Sequence, residues 1–507
     1  MADESKTTPS AFNCEGGLVT NKSSFMLQPG EAIELKNFEP DIEGGYRRIS
    51  GFIKYVTAIV PFTSSEAEKV LMVATFGSKV LAARGTSIYS ATPGGSSWTS
   101  IDSGRTGAGK YRFERFNFDG TDKIIVVDGT NAPTIFNSSL SATDASDSSV
   151  AGSRFVVSFK NHMFYAGKST SKQEIVFSQP FDEDAFSSGS GAGSIKVDDE
   201  ITGIKVFRDE LFIFCATRIF KLGGSSSSNF AVADVTRDIG CINGDTIQEF
   251  AGDLIFLGPD GLRTIAGTAR IGDVELGTIS QAVQTIFNAN AASASDFDSV
   301  VITDKTQYRI FFTKANTSET ISKGIICVLK GAKYEFSEIQ GIKPASTDSF
   351  VQDGNVLVLH GSYQNGFVYR QEQGNTFDGT VILGRYRSPD LTFNDPGIRK
   401  HMQRVIINYK PESTIDADLF IRYDYDDVDA ARPAAYPLDS QDVAAIYGGS
   451  ESKYGTTIYD NGASQPLVRQ AVEGSGFAVA LKVEDGGVTA PYSLKGFQLE
   501  YQLGARR

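Results

Sequence analysis

The sequence predicts an all-β protein, a β-propeller of six or seven blades followed by a C-terminal β-sandwich-like platform domain. Three observations lead there. Compact apolar runs recur between residues 51 and 380, each followed by a turn and a second short strand. Successive runs begin 39 to 56 residues apart, a spacing near that of four-stranded propeller blades. Beyond residue 380 the strands lengthen and alternate strictly, as sheets with one buried face do.

Residues 1–50 read as an N-terminal arm that packs with the platform. The arm opens on MADESKTTPS, which is polar and carries acids where a secretory leader would be basic and then apolar. The propeller, residues 51–380, rests on seven runs: VLMVAT from Val70, IIVVDG from Ile124, MFYAG from Met163, LFIFCAT from Leu211, LIFLG from Leu254, IFFT from Ile310 and VLVLHG from Val356. Their second strands contain SIYS, TIFN, EIVFS, RIFKL, LRTIAG, GIICVLK and GFVYR. A blade cannot bury both faces alone, so stacking around an axis completes the core. A large β-sandwich meander is the structural alternative.

The small polar stretches at 138–153, 187–194 and 223–229 read as blade-to-blade surface loops. One helix interrupts the pattern: ISQAVQTIF places Ile279, Val283, Ile286 and Phe287 on one face, with Thr278 as N-cap. Over 381–507 the strands are HMQRVIINY, DADLFIRYDY, GFAVALKVED and LKGFQLEYQL. In the last, Phe497, Leu499, Tyr501 and Leu503 share the buried side. Blades read as self-contained, so a chain ending near residue 380 is expected to fold as a propeller alone.

Composition narrows the function. A net charge of −13 disfavours a protein that grips nucleic acid through a basic surface, yet suits a wall past which a polyanion must slide. No apolar run approaches twenty residues, so no membrane insertion by a helix is expected. Cys14, Cys215, Cys241 and Cys327 form no C-x-x-C pair, and they read as buried small hydrophobes. His162, His360 and His401 lie far apart. Neither a metal nor a cofactor is expected.

Several motifs resemble chemistry without completing it. GRTGAGKY (104–111) matches a phosphate-binding loop except that Tyr111 replaces the magnesium-holding hydroxyl, and the residues after it read as strand rather than helix. It is expected to be a solvated hairpin loop with a dispensable Lys110. The acidic runs Asp182-Glu183-Asp184 and Asp198-Asp199-Glu200 read as solvated faces. DYDDVDA lacks the glycine and terminal glutamate of an EF-hand loop. ATPGGSSWTS keeps only Gly95 and Trp98 of a sialidase turn. Nothing forms a catalytic set, so no enzyme activity is expected; a glycan-binding or glycosidase-like propeller is the alternative.

FNCEGGLVTNKSSFMLQPGEAIELKNFEPDIEGGYRRISGF carries a family resemblance. Its Gly16-Gly17-Leu18, Pro29–Ala32, Asn37-Phe38 and Arg47–Phe52 segments, with EIVFSQPFDEDAF, DVELGTISQAVQTIF and the C-terminal part, resemble the tail nozzle (tail tubular protein B) and packaged-DNA stabilisation hub family of short-tailed bacteriophages. That resemblance implies a non-enzymatic virion protein, assembled in the host cytoplasm and located in the tail. It implies a homohexameric ring below the portal and adaptor that retains and conducts double-stranded DNA without sequence specificity and anchors tail fibres or spikes. Arg47, Arg48, Arg399, Lys400, Asp424, Asp426 and Asp427 are the candidate assembly-interface residues.

Overall fold

The computed structural model describes residues 7–62, 69–107, 109–265, 278–313, 322–352, 354–412, 415–430, 432–439 and 467–506. Five sheets succeed one another along the chain as separate blades: residues 72–102, 112–144, 155–196, 201–236 and 248–264, the fifth with three strands and the others with four. Residues 298–340 fill the sixth place as the first four strands of a nine-stranded sheet. Residues 344–371 fill the seventh, and Phe52–Lys54, which directly follows the arm, pairs with their third strand, Val368–Gln371. The ring therefore closes through the N-terminal segment. Its innermost strands neighbour one another in order, and Pro344–Gln352 lies against both Asp298–Ile302 and Met72–Phe76.

Six of the seven apolar runs form the second strand of a blade, and the partner segments form the third. VLMVAT is the exception, because its strand, Met72–Phe76, is innermost and Lys79–Arg84 comes after it. The middle strands read clearly because they are apolar on both faces: Glu210–Cys215 buries every residue from Leu211 onward. Adjacent blades share these faces. Ile213, fully buried, sits between the third and fourth blades with Phe164, Ile175 and Leu222. The polar turns FKNH and FRDE join first strand to second, with Lys160, Asn161, Arg208 and Asp209 all at positive φ.

Some elements differ from the sequence reading. The stretches at 187–194 and 223–229 connect strands within the third and fourth blades, and only 138–153 leads from one blade to the next. The helix is short, Gln284–Asn290, preceded by a 3₁₀ turn over Gln281–Val283. Ser280, not Thr278, precedes that turn, and its hydroxyl accepts from Leu262 N–H instead of capping. Val283 and Phe287 are buried, while Ile279 and Ile286 pack more loosely on the same core. DVELG lies outside the described residues.

The platform is a sandwich of two sheets. One orders Phe38–Pro40, Tyr46–Arg48, Tyr492–Arg506, Ile398–Pro411 and Leu467–Ala471, with Thr8–Asn13 also paired to Tyr492–Arg506. The other is the far half of the nine-stranded sheet: Glu34–Lys36, Gly384–Arg387, Val479–Asp485, Asp416–Tyr423 and Tyr436–Asp439. Phe497, Leu499 and Tyr501 are buried between them, whereas Leu503 is 53% exposed near the chain end.

One apolar cluster runs without a break from Phe250 and Ile255 in the fifth blade, through Tyr308 and Cys327, to Leu419, Leu481 and Phe497 in the platform. The sheet itself crosses the same boundary, because Lys36 pairs with Glu338 on one side and Arg385 on the other. Cutting near residue 380 would strip half of that core, so the expectation of a self-sufficient propeller is corrected. Ile213→Asp should abolish soluble folding, since an unpaired carboxylate in a fully buried site costs several kcal/mol beyond the lost apolar contact. Soluble yield and circular dichroism check this, with Ile213→Val as the tolerated control.

Candidate functional sites on the axis and at the platform junction

The motif-bearing arm is short of regular structure, yet its residues reach the platform and the sixth and seventh blades. Gly17 N–H donates to Tyr46 Oη, and Leu18 N–H donates to the Phe336 carbonyl of the sixth blade. Tyr46 Oη donates to Gly30 O, within the Pro29–Ala32 segment. Asn37, at φ 54°, donates through Nδ2 to Leu383 O and accepts at Oδ1 from Gln340 N–H. Phe38 is fully buried. In RRISGF, Gly51 lies so near Thr376 that a Cβ would stand 2.0 Å from its carbonyl oxygen, so no larger residue fits. Phe52 then stacks on Phe377 at 5.0 Å.

Arg47 and Arg48 anchor two charge clusters. Arg48 is buried completely, with Nε 3.3 Å from Asp485 and its Nη atoms donating to the carbonyls of Thr489, Ile382 and Gly487. It is thus engaged wholly inside the chain, which corrects its place among the surface candidates. Arg47 joins Glu412 on the platform to Glu39 on the arm. Glu39 also meets Lys305 at 2.7 Å and Arg309 at 3.2 Å on the sixth blade, and these two reach Glu372 on the seventh at 2.5 and 2.6 Å. Three carboxylates and three cations are balanced within one junction. Burial alone would push the Glu39 carboxyl up; Lys305, Arg309 and Arg47 outweigh it and hold the group down at about 2. Burial would raise the Glu372 carboxyl too, and Arg309 and Lys305 outweigh it and lower the group.

The other candidates form a separate corner of the platform. Lys400 is buried and donates to the carbonyls of Asp395 and Phe477. Arg399 lies over the Phe477 ring at 4.9 Å and donates to Ser475 Oγ at 3.2 Å. Asp424 accepts from the Phe477 and Ala478 amides, and Asp426 pairs with Arg422 and Arg432. Asp427 accepts from the Asp429 amide. Asp424, Tyr425 and Asp426 all have positive φ, from 51° to 63°, and these contacts hold the strained turn. Most of these groups are engaged within one chain, and Arg47 and Arg48 lie at a different site from the rest.

A second site lies on the propeller axis, where a funnel of about 770 Å³ opens among the blades. The phosphate-loop look-alike forms part of its wall through Gly107, Gly109 and Lys110. No helix comes after it; Arg112–Phe116 is the innermost strand of the second blade. The loop joins the last strand of one blade to the first of the next and so is no hairpin; Gly104, Thr106, Gly107 and Gly109 are exposed, but its two cations are tied inward. Arg105 is buried, donating from Nε to Asp128 at 2.9 Å and from Nη1 to Asp102 and Thr134. Lys110 Nζ lies 2.8 Å from Asp298 and 3.3 Å from Asp245, carboxylates of distant blades. Arg112 holds Asp245 with two hydrogen bonds of 2.7 and 2.8 Å. Burial would lower the Lys110 ammonium, but Asp245 and Asp298 outweigh it and hold it above its ordinary range. Sequence proximity gave no sign of these partners: Asp298 is 188 residues away.

The four cysteines are free and buried, and burial pushes the thiols of Cys215 and Cys241 up to about 12. His162 and His360 are buried too, and burial lowers His360 to about 3, so it packs as a neutral ring against Phe52 and Tyr369. The acidic runs serve surface turns: Glu183 pairs with Lys123, Asp198 with Arg218, and Asp199 accepts from Thr217. Among the described residues, no group of three or more potential ligands is placed to hold a metal ion.

No protein-family model matches the chain, and no curated protein matches it. Among solved structures, it is similar at 8% identity to the extracellular domain of a one-component system from B. thetaiotaomicron, with a TM-score of 0.40 over 66% of this chain and 41% of that one. It is similar at 10% identity to PorZ, a surface component of the type-IX secretion system of Porphyromonas gingivalis, with a TM-score of 0.35 over 67% and 43% of the two chains. A chain of a mitotic checkpoint complex matches at 9% identity and a TM-score of 0.41, over 64% of this chain and 94% of that one. The chain covers about two-fifths of the two bacterial proteins. The order of the sheets is what establishes the propeller here.

Both charge clusters are open to test. Lys110→Ala leaves Asp298 without its cation in a buried site, so urea unfolding should show a loss of about 2–3 kcal/mol; an unchanged midpoint would make Lys110 dispensable. At the junction, a carboxyl whose folded pKa is depressed stabilises the protein above its unfolded value and ceases to as pH falls through the folded one. Glu39 should therefore contribute up to about 3 kcal/mol above pH 5 that fades between about 4.5 and 2. Urea midpoints of wild type and Glu39→Gln should differ at neutral pH and converge toward pH 2.

Proposed function

We propose that this protein is a tail nozzle or hub subunit of a short-tailed bacteriophage, a non-enzymatic ring component assembled in the host cytoplasm and carried in the virion tail. The observation that supports it best concerns the arm: the residues that carry the family resemblance, from Gly16 to Phe52, are the ones that bind platform, sixth blade and seventh blade together. A motif set with that architectural role belongs to a rigid building block. Further support comes from the net charge of −13, which keeps a DNA conduit from holding its cargo. The acidic runs, engaged in surface turns, also suit a structural role better than a glycosidase's facing carboxylates.

In this reading six copies close a ring under the portal and adaptor. One heterologous contact, used six times, leaves no open end. The platform corner around Arg399, Asp424 and Asp426 faces the neighbouring subunit, and the propeller meets fibres or spikes. Double-stranded DNA passes through the lumen.

Native mass spectrometry of the purified protein tests the proposal. A species of six times 54.6 kDa is expected. A monomer at all concentrations would sink it and favour a glycan-binding propeller. DNA should associate weakly, without sequence preference, and less as salt rises; tight, sequence-selective gel shifts at physiological salt would contradict a conduit.

A further inference from the structure

The wall of the funnel on the propeller axis sets four cations, Lys69, Lys110, Arg112 and Arg154, against three carboxylates, Asp128, Asp245 and Asp296. Arg112 and Arg154 crowd one aromatic ring, their guanidinium carbons 4.9 and 5.5 Å from the centre of Phe155. Two like charges that close repel, and the carboxylate beside them, Asp245, is already held by Arg112 and Lys110. Asp128, also in the wall, is taken by Arg105. Arg154 is exposed and forms no ion pair with any described residue. The same arrangement recurs between the seventh and first blades. Lys69 and Lys343 lie 4.1 and 4.4 Å from the centre of Tyr363, and Lys69 likewise lacks an ion-pair partner among the described residues.

Arg154 is held in place rather than left to wander. Gly129, at φ 80°, leaves room for its stem, since a Cβ there would stand 2.8 Å from Arg154 Cγ. Gly167, at φ 75°, does the same from the next strand, with a Cβ reaching 3.1 Å from Arg154 Cβ. A guanidinium whose stem is seated on two glycine backbones, beside a second guanidinium, is preorganised for a forked contact with a planar or tetrahedral oxyanion. The cavity, about 770 Å³, has the size of a small-molecule site.

We propose that this funnel binds a small organic oxyanion, a carboxylate- or phosphate-bearing ligand, with Arg154 as its direct ion partner and Lys69 adding to the attracting field. The ligand supplies the negative charge that Arg154 lacks. Nothing in this depends on ring formation, so a monomeric native mass would leave it standing.

Isothermal titration of the full-length protein with glucuronate, glucose 6-phosphate and neutral glucose tests it. At least one of the two acids should bind, with glucose silent, and the preferred acid identifies the carboxylate or phosphate source. Arg154→Gln should weaken that binding about tenfold or more, as expected for losing a charge-assisted hydrogen-bond pair. Arg154→Lys, which keeps the charge and loses the fork, should fall between, and Lys69→Gln should cost about twofold to threefold by weakening the field. The melting temperature of Arg154→Gln should match wild type. Failure of both acids to bind wild type, equal binding by wild type and Arg154→Gln, or unfolding of that variant would each overturn the proposal.

Discussion

The balanced cluster of Glu39, Arg47, Lys305, Arg309, Glu372 and Glu412 is the constraint on which the rest of this molecule depends. Its charges come from the arm, the sixth blade, the seventh blade and the platform. Taking such groups out of water is expensive, and the expense is met only when all partners arrive. A single missing element would leave a buried charge exposed to low dielectric. The cluster therefore rewards one arrangement of four segments and penalises partial ones. Gln307 and Gln371 complete it with hydrogen bonds to Glu39 and Arg309.

The same cluster governs the way the propeller closes. Phe52–Lys54 adds to the seventh blade only a few residues after Arg47 and Arg48 have been fixed. The arm reaches the ring already held by the platform, so closing costs little further chain entropy. The nine-stranded sheet transmits the same order mechanically, since one hydrogen-bonded ladder spans blade and sandwich. A chain built so is stiff across its length, and that stiffness keeps the axial funnel's charges at fixed spacing.

The legible parts of the fold share a physical cause. Middle strands of blades are apolar on both faces, so LFIFCAT and GIICVLK announced themselves. Innermost strands face the polar axis, and RFERF, with its first four residues only half buried, gave no clean period. Outermost strands are solvated: Ala231–Thr236 exposes its first four residues and Ala142–Asp144 exposes all three. The arm's strands between Glu34 and Lys54 are three residues each, too short for any periodicity to show. Charged sites were the least legible. Arg48 and Lys110 look like surface residues in sequence, and their partners lie far along the chain. Only the tertiary fold reveals that their charges are matched inside it.

Arm, propeller and platform form one cooperative unit, joined by a shared sheet and a shared core. Native-state hydrogen exchange measures this most directly, because it reads the opening free energy of each strand separately. Amides of Lys323–Lys330 in the sixth blade and Val479–Asp485 in the platform should exchange through a common global opening, with equal free energies and equal denaturant dependence. Exchange of the platform strand through a separate, cheaper opening, with the blade still protected, would mean that platform and propeller unfold independently.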